Sequence, residues 1–444
     1  MKKLILFCIV LLLILVSCTP ETENEAGEAP GGEDLPASAA PTGAPDYEAH
    51  TPENLKAVWM SQWDLQRVYL KGEQQREETD FRIRAKAIME NAVLDGFNTV
   101  FLQVRPFGDS FYPSAYYPPS KMVVGAYGRE FAYDPVAILA DAAHTAGLSV
   151  HAWINPLRLM TTEEIEQIPA DYPVRRWYDD PALRGTYLVL QGDGRWYLNP
   201  GYTEVCDLIV AGAREAMEKY AFDGLHMDDY FYPTTSVEYD AQCFAEYTAA
   251  GGEMDLGDFR RDCVTALVCR LYEAVHEVRE GALFGIAPGG NADRAFASQY
   301  ADVYTWCAEE GCVDYICPEI YFGFEHETYP FDKTAEKWSQ MVVSSSVRLL
   351  IGLSFHKASS GFDQYAGSGA YEWAQHTDIL YRSLEYAAGI KNCSGVAVFS
   401  YQYFRNALTG DVPDYPKDER EAFLPLVKKV VFPASAGKTT EEGA

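Results

Sequence analysis

The sequence predicts an α/β fold, a (β/α)8 TIM barrel with long loops on the C-terminal face. Three observations predict it. Eight short apolar runs recur along the chain, amphipathic stretches separate most of them, and polar and aromatic side chains gather at the ends of the runs while the starts stay aliphatic. The runs at 57–63, 99–105, 149–155, 224–228, 283–287, 315–321, 348–353 and 396–401 read as strands. Stretches at 82–94, 135–146, 203–220, 256–278, 333–343 and 372–388 read as helices. Asp134-Pro135 opens the second helix and Gly147 closes it. Only the fifth connection, 291–311, reads as irregular. Strands alternating with helices build a parallel sheet, and eight such units close it, with the site at the C-terminal ends of the strands.

The ends of the chain read differently. Residues 1–17 are expected to be a lipoprotein signal peptide, with Lys2 and Lys3 as the charged end and 4–16 as an apolar core too short for a usual membrane span. Leu15-Val16-Ser17-Cys18 matches a bacterial lipobox, which implies lipid attachment at Cys18. Residues 18–50 are poor in large apolar groups and rich in Glu, Pro, Gly, Ala and Ser, as expected of a disordered tether. The barrel domain is expected at 51–432 and a flexible tail at 433–444. The expected localisation is therefore export, with the chain anchored through Cys18 to the bacterial cell membrane or outer membrane.

The formal net charge is −29, and loss of a leader that carries two lysines and no acids takes it to −31. Such a chain is ill suited to nucleic acid or to adsorption on an anionic bilayer, and it repels strongly anionic polymers at long range. Eight cysteines follow Cys18: 206, 243, 263, 269, 307, 312, 317 and 393. None shows CxxC spacing, so no metal site and no cofactor is expected. Most sit in apolar helix or strand patterns and read as buried free thiols, with Cys307 and Cys312 as the one candidate pair.

The richest stretch runs from Asp223 to Pro233. It begins as a strand and ends in Asp228, Asp229 and three aromatic rings. Side chains alternate along a strand, so His226 and Asp228 share the inner face and Leu225 and Met227 the outer one. Asp229 reaches the cleft only if the backbone turns at the strand end. Glu319 closes the sixth strand, across the mouth from the fourth. Carboxyl pairs of this kind do acid–base work on glycosidic bonds, and a protonated donor needs apolar neighbours such as Tyr321. Two schemes stand open: Asp228 as nucleophile or base with Glu319 as donor, or the Asp228–Asp229 pair acting on a sugar whose acetamido group is the nucleophile. Structural readings compete with both: strand-end acids also cap loops, and Glu319 could pair with Arg105 or Arg158. Trp59, Trp63, Trp153, Tyr230, Tyr321 and Tyr401 are candidate sugar platforms. The polar strand ends Gln103, Arg105, Asn155, Arg158 and His226 complete the candidate substrate-binding set, and Lys357 is a further cation near it. Aromatic-rich connections at 105–134 and 157–202 suit a groove for a polymer.

The ordered blocks Asn98-Thr99-Val100-Phe101-Leu102-Gln103-Val104-Arg105, His151-Ala152-Trp153-Ile154-Asn155-Pro156-Leu157-Arg158, Leu198-Asn199-Pro200-Gly201 and Asp223 to Pro233 resemble glycosyl-hydrolase-like family ten. The likeness covers roughly 57–402. It implies a (β/α)8 glycosidase, exported from bacteria and often lipid-anchored, with one branch acting on peptidoglycan glycan strands that have lost their stem peptides. It implies a glycan polymer as partner. The family pattern has Gln at the position of Glu319, which moves weight onto Asp228 and Asp229. The expectation is a cell-envelope glycoside hydrolase of N-acetylated glycan strands. The alternatives are hydrolysis of another polysaccharide by Asp228 and Glu319, and a glycan-binding surface lipoprotein without turnover.

Overall fold

A computed structural model describes residues 47–433. Eight parallel strands form a closed barrel: β1 (Leu55–Met60), β2 (Thr99–Arg105), β3 (Ser149–Ile154), β4 (Gly224–Met227), β5 (Leu283–Ile286), β6 (Tyr315–Ile316), β7 (Arg348–Ser354) and β8 (Cys393–Phe399), with β1 paired to both β2 and β8. A helix follows each strand around the outside: α1 (Glu78–Asp95), α2 (Pro135–Thr145), α3 (Thr203–Lys219), α4 (Leu256–Val278), α5 (Val303–Ala308), α6 (Phe331–Met341), α7 (Ile379–Gly389) and α8 (Lys417–Val427). The predicted fold class is the observed one. The leader, Cys18 and most of the expected tether lie outside the described residues, as does nearly all of the expected tail.

Strand parity sorts the core into two layers. Ala57, Trp59, Phe101, Trp153, Tyr315 and Ala397 fill the barrel interior, while Val58, Met60, Val100, Leu102, Leu225 and Met227 pack outward under the helices. Two glycines make room for the large inner rings. A Cβ on Gly285 would lie 2.0 Å from the Tyr315 ring, and one on Gly224 would lie 2.8 Å from the His151 ring.

Several boundaries differ from the sequence reading, each for a local reason. The first strand stops at Met60, because Ser61 and Asp64 cap a helix, Gln62–Tyr69, that carries Trp63. The sixth strand is only two residues long. Pro318 lacks the amide that a ladder needs, although Glu319 still bridges to Gly289 and Gly352 and continues the wall. The connection expected to be irregular holds two capped helices, Ala292–Ser298 and α5. The stretch 372–388 breaks into Glu372–Gln375 and α7.

The cysteine reading also needs correction. Cys269 on α4 is disulfide-bonded to Cys312, just before β6, and Cys307 is a buried free thiol facing the core from α5. Proximity in sequence favoured Cys307, whereas the packing of α4 beside this segment brings Cys269 to Cys312. Finally, Tyr47 to His50, assigned to the tether, dock on the domain. The Tyr47 hydroxyl and the His50 amide both donate to Asp223, whose other oxygen accepts from the Val150 amide.

Candidate active site

The strand ends surround a cavity of 270 Å³ lined by Asp228, Asp229, Glu319, Trp59, Trp63, Gln103, Trp153, Arg158, Tyr230, Tyr321 and Phe399, together with Ser61 and Gln62. Asp228 is its most firmly held acid. One carboxylate oxygen accepts from the Trp153 indole (3.1 Å) and the Asn155 amide, and the other from the Tyr230 backbone amide (3.3 Å). Asn155 is itself fixed by Gln103, whose other end accepts from the Gln62 amide. A chain of amides thus runs from the helix that follows β1 to the residue that follows β3 and sets the Asp228 carboxylate.

Asp229 lies just past the end of β4, where strand alternation no longer applies. The backbone turns, with the Phe231 amide donating to the Asp229 carbonyl and the Gln299 side chain holding the same oxygen at 2.8 Å. Both aspartates consequently face one cavity. Glu319 reaches it from the continued wall of β6, and Tyr321 lines the same cavity.

The three acids share one electrostatic problem. Burial and the Asp229 charge push Asp228 up to about 7, against the pull of Arg158 and of the Asn155 amide. Burial raises Asp229 too. Burial, then the charges of Asp229 and Asp228, raise Glu319 well above the carboxylate range. The cavity therefore holds protonated carboxyl at neutral pH, which is what a general acid requires. Arg158 makes no ion pair among the described residues. Its guanidinium stands over the rings of Phe107 (4.3 Å) and Tyr230 (4.1 Å).

A family model described as glycosyl hydrolase-like 10 matches residues 54–366. The chain belongs to that family. It is 32% identical to the glycosyl hydrolase YngK of Bacillus subtilis, over 71% of this chain and 63% of that protein, so it spans less than two thirds of this relative. It is 26% identical to the glycosyl hydrolase DigH of Escherichia coli K12, over 92% of this chain and 94% of the relative. Among solved structures it resembles the PgaB (BpsB) glycoside hydrolase domain of Bordetella bronchiseptica, with a TM-score of 0.53 at 13% identity, covering 83% of this chain and 99% of that one. It also resembles the catalytic domain of the Paenibacillus polymyxa β-amylase, with a TM-score of 0.52 at 11% identity, covering 85% and 99%. At these identities the structural likeness establishes the fold.

Within this family member, most of the residues expected from sequence meet at the cavity. Three do not. Arg105 shares the parity of Phe101 and Gln103, but the register of β2 against β3 shifts between Gln103 and Arg105. Arg105 is thereby turned outward, buried against the ring of Tyr117 at 4.4 Å. Tyr401 likewise shares the parity of Ala397 and Phe399. The chain leaves the wall at Ser400 and coils into a short helix, so Tyr401 is buried in the outer layer and its hydroxyl donates to the Ile88 carbonyl. His226 does point inward, but it lies fully buried below the cavity, where its Nε2 accepts from the Trp59 indole at 3.0 Å and Phe101 stacks on it. It supports the floor. Lys357 is paired with Asp363 at 2.9 Å. No ion pair joins Glu319 to Arg105 or Arg158 among the described residues.

Sequence reasoning missed Phe399, Ser61 and Gln62. Phe399 was within reach, since it is the last inward position of β8. Ser61 and Gln62 enter through the helix that replaces the end of the first predicted strand. Among the described residues no group of three His, Cys, Asp or Glu is placed to hold a metal ion.

Proposed function

We propose that this chain is a glycoside hydrolase that cleaves N-acetylated, peptidoglycan-type glycan strands, with Asp228 and Asp229 as its working pair. The supporting observation is the unequal support of two adjacent buried acids. Asp228 has donors on both oxygens, whereas among the described residues no neighbouring group donates to the Asp229 carboxyl. Two such acids side by side share a proton. Burial and the Asp229 charge push Asp228 up before sugar binds. An acetamido N–H added to the Trp153 and Asn155 donors favours the charge on Asp228 and moves the proton to Asp229 once sugar is bound.

In this reading Asp228 accepts the N–H of the sugar's acetamido group and aligns its carbonyl oxygen on C1. That oxygen bonds to C1 as the C1–O bond to the leaving sugar breaks, and Asp229 gives its proton to the departing oxygen. The Asp228 carboxylate balances the positive charge of the cyclic intermediate. Water then adds to C1 as the bond from C1 to the acetamido oxygen breaks and the acetamido group is restored, while Asp229 takes the proton of the water. Substrate-assisted glycosidases are the known departure from the two-carboxylate rule. Trp59, Trp153, Tyr230, Tyr321 and Phe399 supply apolar faces for the ring, and Trp63, 60% exposed at the rim, a further platform.

A second reading is favoured by one feature. Glu319, raised well above the carboxylate range in the same cavity, would be protonated at neutral pH and could serve as donor opposite Asp228. Reducing ends released from purified peptide-free strands separate the two. Asp229→Asn is expected to lower kcat by about 10²–10⁴, the range of general-acid catalysis, with a smaller loss for Glu319→Gln. The reverse order would establish the second reading, and binding without new reducing ends from any glycan would make the protein a binder. The leader and lipobox support export and lipid attachment at Cys18. Cys18→Ser is expected to abolish labelling by a fatty-acid probe, and unchanged labelling would refute the anchor.

A further inference from the structure

A second cavity, of 520 Å³, opens on the far side of the Asp229–Tyr230 ridge. Both ridge residues line both cavities, so a polymer with a scissile bond at Asp229 has a continuous path from one to the other. The walls of the second cavity are polar. Thr234, Thr235, Ser298 and Gln299 offer hydroxyls and an amide, and Arg294 offers a guanidinium. Among the described residues Asp229 is the only carboxyl group lining it.

Arg294 makes no ion pair among the described residues. Its neighbour Asp293 is already engaged by Lys337 at 2.8 Å and by the Tyr304 hydroxyl. In a chain of net charge −29, most well-placed cations meet an acid, and Arg294 stands instead over a hydroxyl-lined space beside the cleft. A planar guanidinium with hydroxyl donors around it matches a carboxylate in geometry and charge.

We propose that this cavity is a sugar subsite selective for a carboxylate-bearing residue of the glycan, with Arg294 receiving the carboxylate. The inference rests on the glycosidase reading above and narrows its substrate to an acidic strand. It also answers the long-range repulsion expected from the charge of the chain: the acidic polymer is recognised at short range, by a cation that makes no ion pair among the described residues.

The test compares three polymers on the wild-type protein, Arg294→Gln and Arg294→Lys. They are peptide-free peptidoglycan strands, whose carboxylate sits on an ether substituent, the same strands with their carboxylates converted to methylamides, and a polymer alternating N-acetylhexosamine with uronic acid. Affinity and released reducing ends are measured in the same samples. Wild type is expected to bind the ether-acid strands about tenfold more tightly than the amidated ones. Arg294→Gln should bring that ratio close to one, and Arg294→Lys should keep part of it. Tighter binding of the uronic acid polymer than of the ether-acid strands would keep the subsite and change the source of its carboxylate. Equal affinity of wild type for all three, or an unchanged ratio in Arg294→Gln, would overturn the proposal. Cleavage without preference would leave the glycosidase reading standing and remove this one, and preference without cleavage would do the opposite.

Discussion

At the scale of the residue, the site depends on carboxyl groups that the fold keeps away from water. Burial raises Asp228, Asp229 and Glu319, so charging them costs stability. The sign follows from linkage. A raised carboxyl contributes stability that is fully present below the unfolded value near 4, and this is lost as pH rises through the folded value, about 7 for Asp228. Glu319→Gln mimics the neutral form. It is therefore expected to leave Tm unchanged near pH 4 and to raise it at pH 8, and calorimetry at the two values checks this. An equal Tm for variant and wild type at pH 8 would mean that Glu319 is not raised. Most of these groups were legible as a set, because polar residues at the ends of barrel strands have few structural reasons to be there. Arg105 and Tyr401 also stand at strand ends in the sequence, but a register shift in β2 and the turn at Ser400 take them away from the cavity, and neither break leaves a mark in residue type.

At the scale of the element, strand and helix periods were readable because the two layers of the barrel demand them. The floor of the site was not readable. There the Trp59 indole donates to His226 Nε2, so His226 carries its proton on Nδ1 and donates to the Tyr315 oxygen at 2.9 Å, and Tyr315 in turn donates to His151 Nδ1 at 3.0 Å. Burial pushes His151 down to about 4 and lowers His226 as well, so both rings stay neutral and the chain keeps one direction. Tyr315→Phe leaves two buried ring nitrogens without a partner. It is expected to cost about 1–3 kcal/mol in denaturant unfolding. Nitrogen NMR of labelled histidine should find His226 protonated on Nδ1 in the wild-type protein, and the opposite tautomer would reverse the chain. The N-terminal element has its own anchor. Burial pushes the Asp223 carboxyl up, but donors from His144, the Val150 amide and Tyr47 outweigh this and hold it below the usual range. Its contribution is present above about pH 4 and is lost as pH falls through its lowered value. Asp223→Ala is expected to cost about 2–4 kcal/mol at pH 7, since the buried amides and hydroxyl it serves lose their acceptor. A cost below half a kcal/mol would show that Tyr47 to His50 are not fastened to the barrel.

At the scale of the whole molecule, a closed barrel gathers eight strand ends at one mouth, and the long connections raise walls around it. The turn of β3 into α3 carries a small antiparallel sheet, Arg158–Thr161, Leu188–Leu190 and Arg195–Leu198, and Arg158 enters the cavity from its first strand. The Cys269–Cys312 bond closes a 43-residue separation that includes all of β5. Replacing both cysteines by serine is expected to lower stability by about 2–4 kcal/mol, from the loop entropy regained on unfolding, and chemical denaturation with and without reductant checks it. The pairing was illegible in sequence because it depends on which helix packs beside the segment, and spacing carries no trace of that. The central claim is that the Asp228–Asp229 pair works with an acetamido group on the substrate. Its most direct test is the rate of reducing-end release from one glycan strand before and after chemical removal of its N-acetyl groups. Loss of the acetamido nucleophile is expected to lower kcat by at least about 10², within reach of what a positioned intramolecular group contributes. Equal rates on both forms would contradict it.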